Sequence, residues 1–455
     1  MLDREFMLLL TSFRRLLRRN ATSAVKKMIR KTHPADLAEI FRSFTDLERE
    51  TIFDYIEDVH YKAELITELD DDIFHELLTN YATEKIKDII MELPGDDQAD
   101  VLEKLPDEIE QDVINLLNKK ESREIDELLK YSPESAGGLM VPLPFKLHED
   151  CTAREAVETV QSQEDMELVF YIYIVDQDDR LTGVLSLREL LSAKPNDILK
   201  NIMRKELITV KPGTDQEKVA RIVSRYDFLA IPVVDEGNHL LGIVTIDDII
   251  DVLREEATED FLQMAGVGKD REILLKSPGQ AVKMRFPWLF ATFMGGVIAS
   301  LIVMQFETLV TKFALLSSFI PIIAGMGGNV GIQSSTIIVR GISTGRINFK
   351  KLGKVISRQM FIGLALGLLY GTLLTIFSMV FYSGREAIYP LAGITGFSLL
   401  MAILIAATVG TVSPLILDRL KIDPAVATGP IVTTSVDILS VAIYLTTAFL
   451  LLMNV

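Results

Sequence analysis

The 455-residue chain is 49% hydrophobic and 24% charged with a formal net charge of −17, and its mean hydropathy is +0.27. The charge is segregated: residues 286–455 hold 5 acidic and 10 basic side chains, whereas 1–285 hold 59 acidic and 37 basic ones, a net of −22. An acidic soluble half is therefore joined to an apolar, mildly basic half, which excludes a single compact soluble enzyme and argues against a nucleic-acid binder, since no large basic face remains.

Cys151 is the sole cysteine, so no intrachain disulfide forms and a reducing compartment fits. All five histidines lie in the soluble half. The apolar half thus has neither a Cys/His zinc site nor a Ser/His/Asp triad, and no Gly-rich phosphate loop with Lys occurs, so no enzymatic activity is expected.

At the N-terminus, acids stand where a signal peptide wants bases, and a short apolar run (Phe6 to Leu10) precedes Arg14, Arg15, Arg18 and Arg19. This is a basic amphipathic first helix with a cytoplasmic start. Residues 1–132 read as short helices. His33-Pro34, Leu93-Pro94-Gly95 and Leu105-Pro106 each precede acids suited to a helix N-terminus. Their recurrence predicts helical hairpins stacked in a superhelix.

Residues 133–258 change character. Tyr171 to Asp176 and Ala230 to Asp235 are short β-branched strands, each followed by a second apolar strand, Leu181 to Ser186 and Leu241 to Thr245. Helices begin at Leu187 and Ile246. Asp176 to Asp235 and Gly183 to Gly242 share one offset of 59 residues, the mark of a duplicated βαββα unit. These residues resemble tandem CBS modules (about 139–200 and 201–258), whose pair forms a cleft that commonly takes an adenine nucleotide. The second module's helix carries Asp248, Asp251, Glu255 and Glu259 on one face, flanked by Glu256 and Asp260. Like charges at this spacing destabilise a helix, so the face is either solvated or waiting for cations. Asp96, Asp97 and Asp100 in the first domain, and Asp418 with Asp423 near the C-terminus, are further acidic clusters.

A connecting helix is expected over 259–284, followed by a domain over 285–455 with five spans near 286–306, 314–339, 356–382, 391–417 and 425–453. Lys and Arg collect before the first span and in the second and fourth connections. The positive-inside rule therefore places the soluble half inside and the C-terminus outside. In the second span, Pro321 to Gln333 includes Gly325, Gly327, Gly328, Asn329 and Gly331. Such a run is either a broken backbone lining a cavity, with carbonyls and the Asn329 amide as hard oxygen ligands, or a close helix crossing. Asp437 sits near the middle of the last span, with no Lys or Arg at comparable depth. It is protonated between helices or faces water and a cation, with Thr433, Thr434 and Ser440 at helical spacing around it. One Asp437 per chain suits a hydrated Mg²⁺ best on the axis of a C2 dimer.

The glycine run, Asp437 in the last of five spans, and Tyr131-Ser132-Pro133-Glu134-Ser135-Ala136-Gly137-Gly138-Leu139-Met140 before the CBS pair together resemble the bacterial MgtE magnesium transporters over essentially the whole chain. The resemblance implies a multidomain membrane protein: an all-α cytosolic superhelical N-domain, an α/β tandem CBS pair, a connecting (plug) helix and a five-helix transmembrane domain. It implies a homodimeric Mg²⁺-selective channel in the bacterial inner membrane, closed when Mg²⁺ binds the cytosolic acids. Carried over residue by residue, Asp437 is the pore acid, with Gly325, Gly328, Asn329 and Thr433 lining the pore. Asp96 and Asp100 match metal ligands of the N-domain; Asp215, Glu217 and Asp227 match those of the CBS pair. Asp248, Asp251, Glu256, Glu259, Asp260 and Asp423 match those where the CBS and plug regions meet the membrane. Tyr171, Arg188, Phe228 and Asp248 would surround ATP, and a shared Asp248 would couple ATP to Mg²⁺. The competing readings are a carrier exchanging Mg²⁺ for Na⁺ or H⁺, and a CBS-controlled membrane sensor that moves no ion.

Overall fold

The computed structural model describes residues 3–79, 81–117, 125, 128–142, 145–162, 170–267, 278–347, 352–384 and 388–452. It divides into two compact units, 1–252 and 253–455.

The first unit opens with nine helices among its described residues: α1 (Asp3–Arg18), α2 (Thr22–Ile29), α3 (Pro34–Phe41), α4 (Asp46–Tyr55), α5 (Val59–Thr67), α6 (Asp71–Thr79), α7 (Thr83–Ile90), α8 (Gly95–Lys104) and α9 (Asp107–Leu116). α2 to α9, at 8–10 residues each, are too short to be stable alone, so packing must hold them. Helices two apart touch: α3 on α5, α5 on α7, α7 on α9, and α2 on α4, α4 on α6. That pattern is a superhelical stack, as the recurring Pro-acid phrases suggest. Phe13, Phe41, Phe53 and Phe74 fill its core. Local chemistry fixes the helix starts. Pro34 is the first residue of α3, and Thr45 and Glu48 close a capping box on α4.

Two βαββ units follow in the same compact unit: β1 (Val141–Pro142), β2 (Lys146–His148), α10 (Ala153–Ser162), β3 (Tyr171–Val175), β4 (Leu181–Ser186), α11 (Leu187–Ser192), α12 (Leu199–Ile202), α13 (Gln216–Tyr226), β5 (Ala230–Val234), β6 (Leu240–Thr245) and α14 (Ile246–Met264). The sheets run β2-β3-β4 and β1-β6-β5. The 59-residue offset holds at the level of hydrogen-bond register. Tyr173 lies opposite Val184 and Ile174 opposite Gly183; Pro232 lies opposite Ile243 and Val233 opposite Gly242. It holds in the turns too, where Asp179 (φ 62°) and Asn238 (φ 67°) take the left-handed conformation that Asp and Asn tolerate best.

The second unit begins inside α14 and continues with α15 (Pro278–Gln305), α16 (Glu307–Lys312), α17 (Leu315–Ser343), α18 (Leu352–Phe381), α19 (Ile388–Arg419), a 3₁₀ turn (Pro424–Ala427) and α20 (Pro430–Leu452). Five stretches here, α15, α17, α18, α19 and Pro424–Leu452, are long and apolar enough to cross a membrane. Much of the expected connecting helix (268–277) lies outside the described residues. α14 carries its N-terminal part to Met264, and the first apolar helix begins at Pro278. α19 packs against α17, α18 and α20, and α15 packs on α20.

Glycine governs how closely these helices approach. A Cβ at Gly363, Gly367 or Gly371 would lie 2.7 Å from Ala407 Cβ, 2.9 Å from Leu400 O or 2.6 Å from Gly396 O. The small-residue stripe of α18 is thus a helix-packing face. The glycine run of α17 corrects the alternative of a broken backbone: α17 is helical from Leu315 to Ser343, through Pro321 and all four glycines. In an apolar medium a helix satisfies its own backbone, which outweighs the roughly 1 kcal/mol by which glycine disfavours a helix. The glycines serve the close crossing instead. A Cβ at Gly327 would lie 2.7 Å from Ser440 Oγ, and one at Gly331 would lie 3.0 Å from Val432 Cγ1, both on α20.

Candidate functional site

In the membrane-type unit, the α17–α20 crossing brings Gly328, Thr433 and Asp437 together. A Cβ at Gly328 would sit 3.4 Å from Asp437 Oδ1 and 3.6 Å from Thr433 Cγ2. Asp437 is half-buried, and α17 and α20 carry no Lys or Arg between Leu315 and Val339 or between Pro430 and Leu452. Gly325 and Asn329 are placed differently. With Gln333 they form an exposed stripe on α17, one turn apart each. In a single chain that stripe would offer an amide pair to lipid, a setting polar side chains avoid.

At the N-terminal end of the same unit, Glu259, Gln263 and Asp423 meet. Gln263 Nε2 donates to Glu259 Oε1 (2.8 Å) and to Asp423 Oδ2 (2.7 Å). Gln263 and Glu259 are buried. Asp260 accepts from Ser343 Oγ (3.1 Å). Burial raises its carboxyl above the usual range, and Asp423 and Glu259 push the same way against Ser343 and Arg340. Glu256 lies on the same helix, half-buried. Gln263, one turn beyond Glu259, was not anticipated; its i,i+4 spacing from an acid was the available signal.

The first unit holds a second acidic group. α8 starts where Gly95 packs against Pro142 of β1, leaving no room for a Cβ (2.8 Å to Pro142 Cγ). This anchors Asp96 and Asp97 beside the acids that open α14. Asp96 is buried, and its Oδ1 has no partner. Burial, then Asp248, then Asp97 raise its carboxyl well above the ordinary range. Asp97 is raised by burial and by Asp247, Glu68 and Asp251, with Lys104 opposing. Asp248 is pushed up to about 7, chiefly by burial and also by Asp247 and Asp97, although its hydrogen bonds to Thr245 oppose the shift. Both Asp96 and Asp97 therefore face the α14 acids, whereas Asp100 and Asp251 are exposed.

Asp215, Glu217 and Asp227 are not brought together within the chain. Asp215 caps α13 by accepting from Glu217 N (3.1 Å), and Glu217 pairs with Arg221 (3.0 Å). Asp227 takes the left-handed position at the other end of the 11-residue α13, about 18 Å from Asp215 along the helix axis. Among the described residues no three His, Cys, Asp or Glu side chains gather closely enough to hold a metal ion by themselves.

Between the two CBS-like modules lies a cleft of about 500 Å³ lined by Tyr171, Tyr173, Arg188, Glu189, Arg204 and Phe228, among others. Asp248 does not line it. Thr245 Oγ1 donates to Asp248 Oδ2 (2.5 Å), the counterpart, 59 residues on, of Ser186 Oγ donating to Glu189 Oε2 (2.6 Å). Each acid is drawn back onto its own helix N-terminus. Glu189 is held down to about 2 by Ser186 and Arg204; Arg204 bonds its Oε1 at 2.6 Å. The Tyr173 hydroxyl is buried and partnerless. Strand alternation from Tyr171 would have found Tyr173; nothing local pointed to Arg204.

A five-helix apolar unit with an acid in its last span, preceded by a CBS-like pair and a helical stack, has the domain order of a divalent-cation transporter. The family descriptions agree in order: MgtE intracellular N domain (32–134), CBS domain (136–196 and 199–255) and divalent cation transporter (320–447). The chain is 34% identical over 440 residues to a magnesium transporter MgtE of Bacillus subtilis, covering 96% of each. It is 38% identical over 333 residues to a magnesium transporter MgtE of Thermus thermophilus, covering 72% of each. Its fold is also similar to the crystallised cytosolic domain of the Mg²⁺ channel MgtE in complex with ATP (TM-score 0.51, 34% identity, 53% of this chain and 99% of that one). The chain belongs to the MgtE magnesium transporter family.

Proposed function

We propose that two copies of this chain form a Mg²⁺-selective channel for Mg²⁺ uptake across the bacterial inner membrane, with Asp437 as the acid that selects the ion. The observation that carries this reading is the half-buried Asp437 against Gly328 and Thr433, with no cation at comparable depth. A Mg²⁺ ion dehydrates reluctantly and is held through waters by one or two carboxylates. Two Asp437 side chains on a twofold axis supply that. The exposed Gly325-Asn329-Gln333 stripe supports the dimer, because a second copy or a water-filled path would cover it. The N-terminus is cytoplasmic and the C-terminus outside, from the Lys and Arg distribution and the odd number of spans.

Regulation follows from the acidic groups. Asp96, Asp97, Asp248 and Asp251 form one set, and Glu256, Glu259, Asp260 and Asp423 another. The hard-oxygen donors and the partnerless Asp96 Oδ1 suit Mg²⁺. Bound there, the ion supplies positive charge that offsets the mutual repulsion. High internal Mg²⁺ therefore favours the closed arrangement. Asp100, Asp215 and Asp227, which are exposed, and the half-buried Glu217 bind Mg²⁺ where a second chain would be needed to complete a site. Tyr171, Arg188 and Phe228, with Tyr173, take ATP in the cleft, as the ATP-bound cytosolic domain of the relative supports.

The test is Mg²⁺ uptake by proteoliposomes under a Mg²⁺ gradient alone. Uptake that needs a Na⁺ or H⁺ gradient would favour the coupled carrier, and no uptake under any gradient would favour the sensor.

A further inference from the structure

The first two helices are the electrostatic opposite of the domain they belong to. From Asp3 at the start of α1 to Ile29 at the end of α2 the chain carries seven basic side chains and two acidic ones (Asp3 and Glu5), in a soluble half whose net charge is −22. They also precede residue 32, where the match to the intracellular N domain begins.

α1 buries Leu10 and Phe13 in the helical stack. Its opposite side is not an ordinary solvated face. At 100° per residue, Met7, Leu8, Thr11, Arg15 and Arg18 fall within one outward arc of α1 and are exposed, as is Arg19 just past its end. Met7 and Leu8 are 56% and 59% exposed, an apolar pair beside three guanidinium groups. Arg14 lies off this arc and is used internally, donating to Ser43 O (2.5 Å) and lying 3.5 Å from Glu48. Lys26 of α2 and Arg30 just past its end share an ion pair with Glu57 (2.6 and 2.7 Å). Arg15, Arg18 and Arg19 make no ion pair among the described residues.

An arc with apolar residues at one end and unpaired arginines at the other is suited to the interface of a bilayer with anionic headgroups. The apolar side chains enter the acyl boundary and the guanidinium groups meet phosphates. We propose that the outward face of α1 docks on anionic lipid of the membrane that holds the same chain. Charge complementarity together with the exposed Met7–Leu8 pair selects this occupant over a purely acidic protein face. Because α1 and the membrane-type unit belong to one chain, docking of this kind is intramolecular. The inference needs only the membrane location, not the ion pathway.

The test uses the full chain, with Thr11→Cys in a Cys151→Ser background, labelled with a fluorophore and placed in nanodiscs carrying headgroup quenchers. Discs of zwitterionic lipid are compared with discs containing anionic phosphatidylglycerol. The account predicts quenching in the anionic discs only, lost in high salt. Because each cation near such a surface is worth about fivefold in binding, the triple variant Arg15→Glu, Arg18→Glu and Arg19→Glu should weaken docking on the order of a hundredfold or more. These residues are exposed, so the variant's unfolding midpoint should match the parent's. Mg²⁺ uptake in proteoliposomes, measured separately, tells a failed docking result from a failed transport reading. Equal quenching in both disc types would overturn the proposal. So would salt-sensitive fluorophore contact between two copies that ignores lipid charge, which would assign the arc to the acidic surface of a second chain.

Discussion

Asp248→Asn probes the acidic group of the cytosolic unit through its cost to folding. In the unfolded chain this carboxyl ionises near 3.8; in the folded protein burial, Asp247 and Asp97 push it up to about 7. Each pH unit of such a rise corresponds to about 1.4 kcal/mol, so ionised Asp248 destabilises the metal-free fold by on the order of 4 kcal/mol. The sign follows from which state ionises first. Below 3.8 both states are protonated and the cost is absent; between 3.8 and about 7 only the unfolded chain ionises, so stability falls as pH rises; above about 7 the loss is complete. Asparagine keeps an acceptor for Thr245 but has no charge to bury. In chelator at about pH 8, Asp248→Asn should raise the unfolding midpoint of the cytosolic unit by up to roughly 8–16 °C, at 2–4 °C per kcal/mol for a domain this size. Near pH 4 the two proteins should coincide. Mg²⁺ should stabilise wild type more than the variant, because it binds the folded acids. Scanning fluorimetry of the full chain across pH, with and without Mg²⁺, measures this. Parallel curves for the two proteins from about pH 4 to about pH 8 would refute the reasoning.

Three further outcomes follow. Gly327→Leu forces a side chain into Ser440 and Val436, 2.7 and 3.1 Å from the Cβ position; it should lower the membrane-type unit's midpoint and abolish uptake, whereas Gly296→Ala, with nothing within 4 Å, should change neither. Gln263→Leu leaves Glu259 and Asp423 without their shared donor, and a midpoint drop equivalent to about 2 kcal/mol is expected. By isothermal titration, Arg188→Ala should weaken ATP binding at least tenfold, as expected for loss of a charged contact to phosphate, while Asp248→Ala should leave it unchanged because that carboxylate lies outside the cleft.

The fold was legible wherever a repeat or a long apolar run carried it. The 59-residue offset recurs in strand register, turns and helix caps, because each module must solve the same local problem with similar residues. The five spans were legible because roughly 20 apolar residues have few alternatives to a membrane helix. The glycine run was ambiguous: glycine permits both a broken backbone and a close crossing, and only the position of α20 decides for the crossing. Asp437 stood out by its chemistry alone. The acidic stripe of α14 was legible as a self-repelling face, but its division was not: Asp248 turns toward Asp96 and Asp97, while Glu259 turns toward Gln263 and Asp423. Asp248 looked like a cleft residue, yet it is not among the side chains that line the cleft, although its counterpart Glu189 is. Asp215 and Asp227 were matched to ligands of the CBS pair by resemblance alone, and in the chain the 11-residue α13 separates them.

The most direct test of the central claim is Mg²⁺ entry into proteoliposomes driven only by a Mg²⁺ gradient, comparing wild type with Asp437→Asn. The account predicts uptake by wild type and at least a tenfold loss in the variant, since the amide removes the charge that attracts a hydrated divalent ion. Equal uptake by both proteins would contradict it.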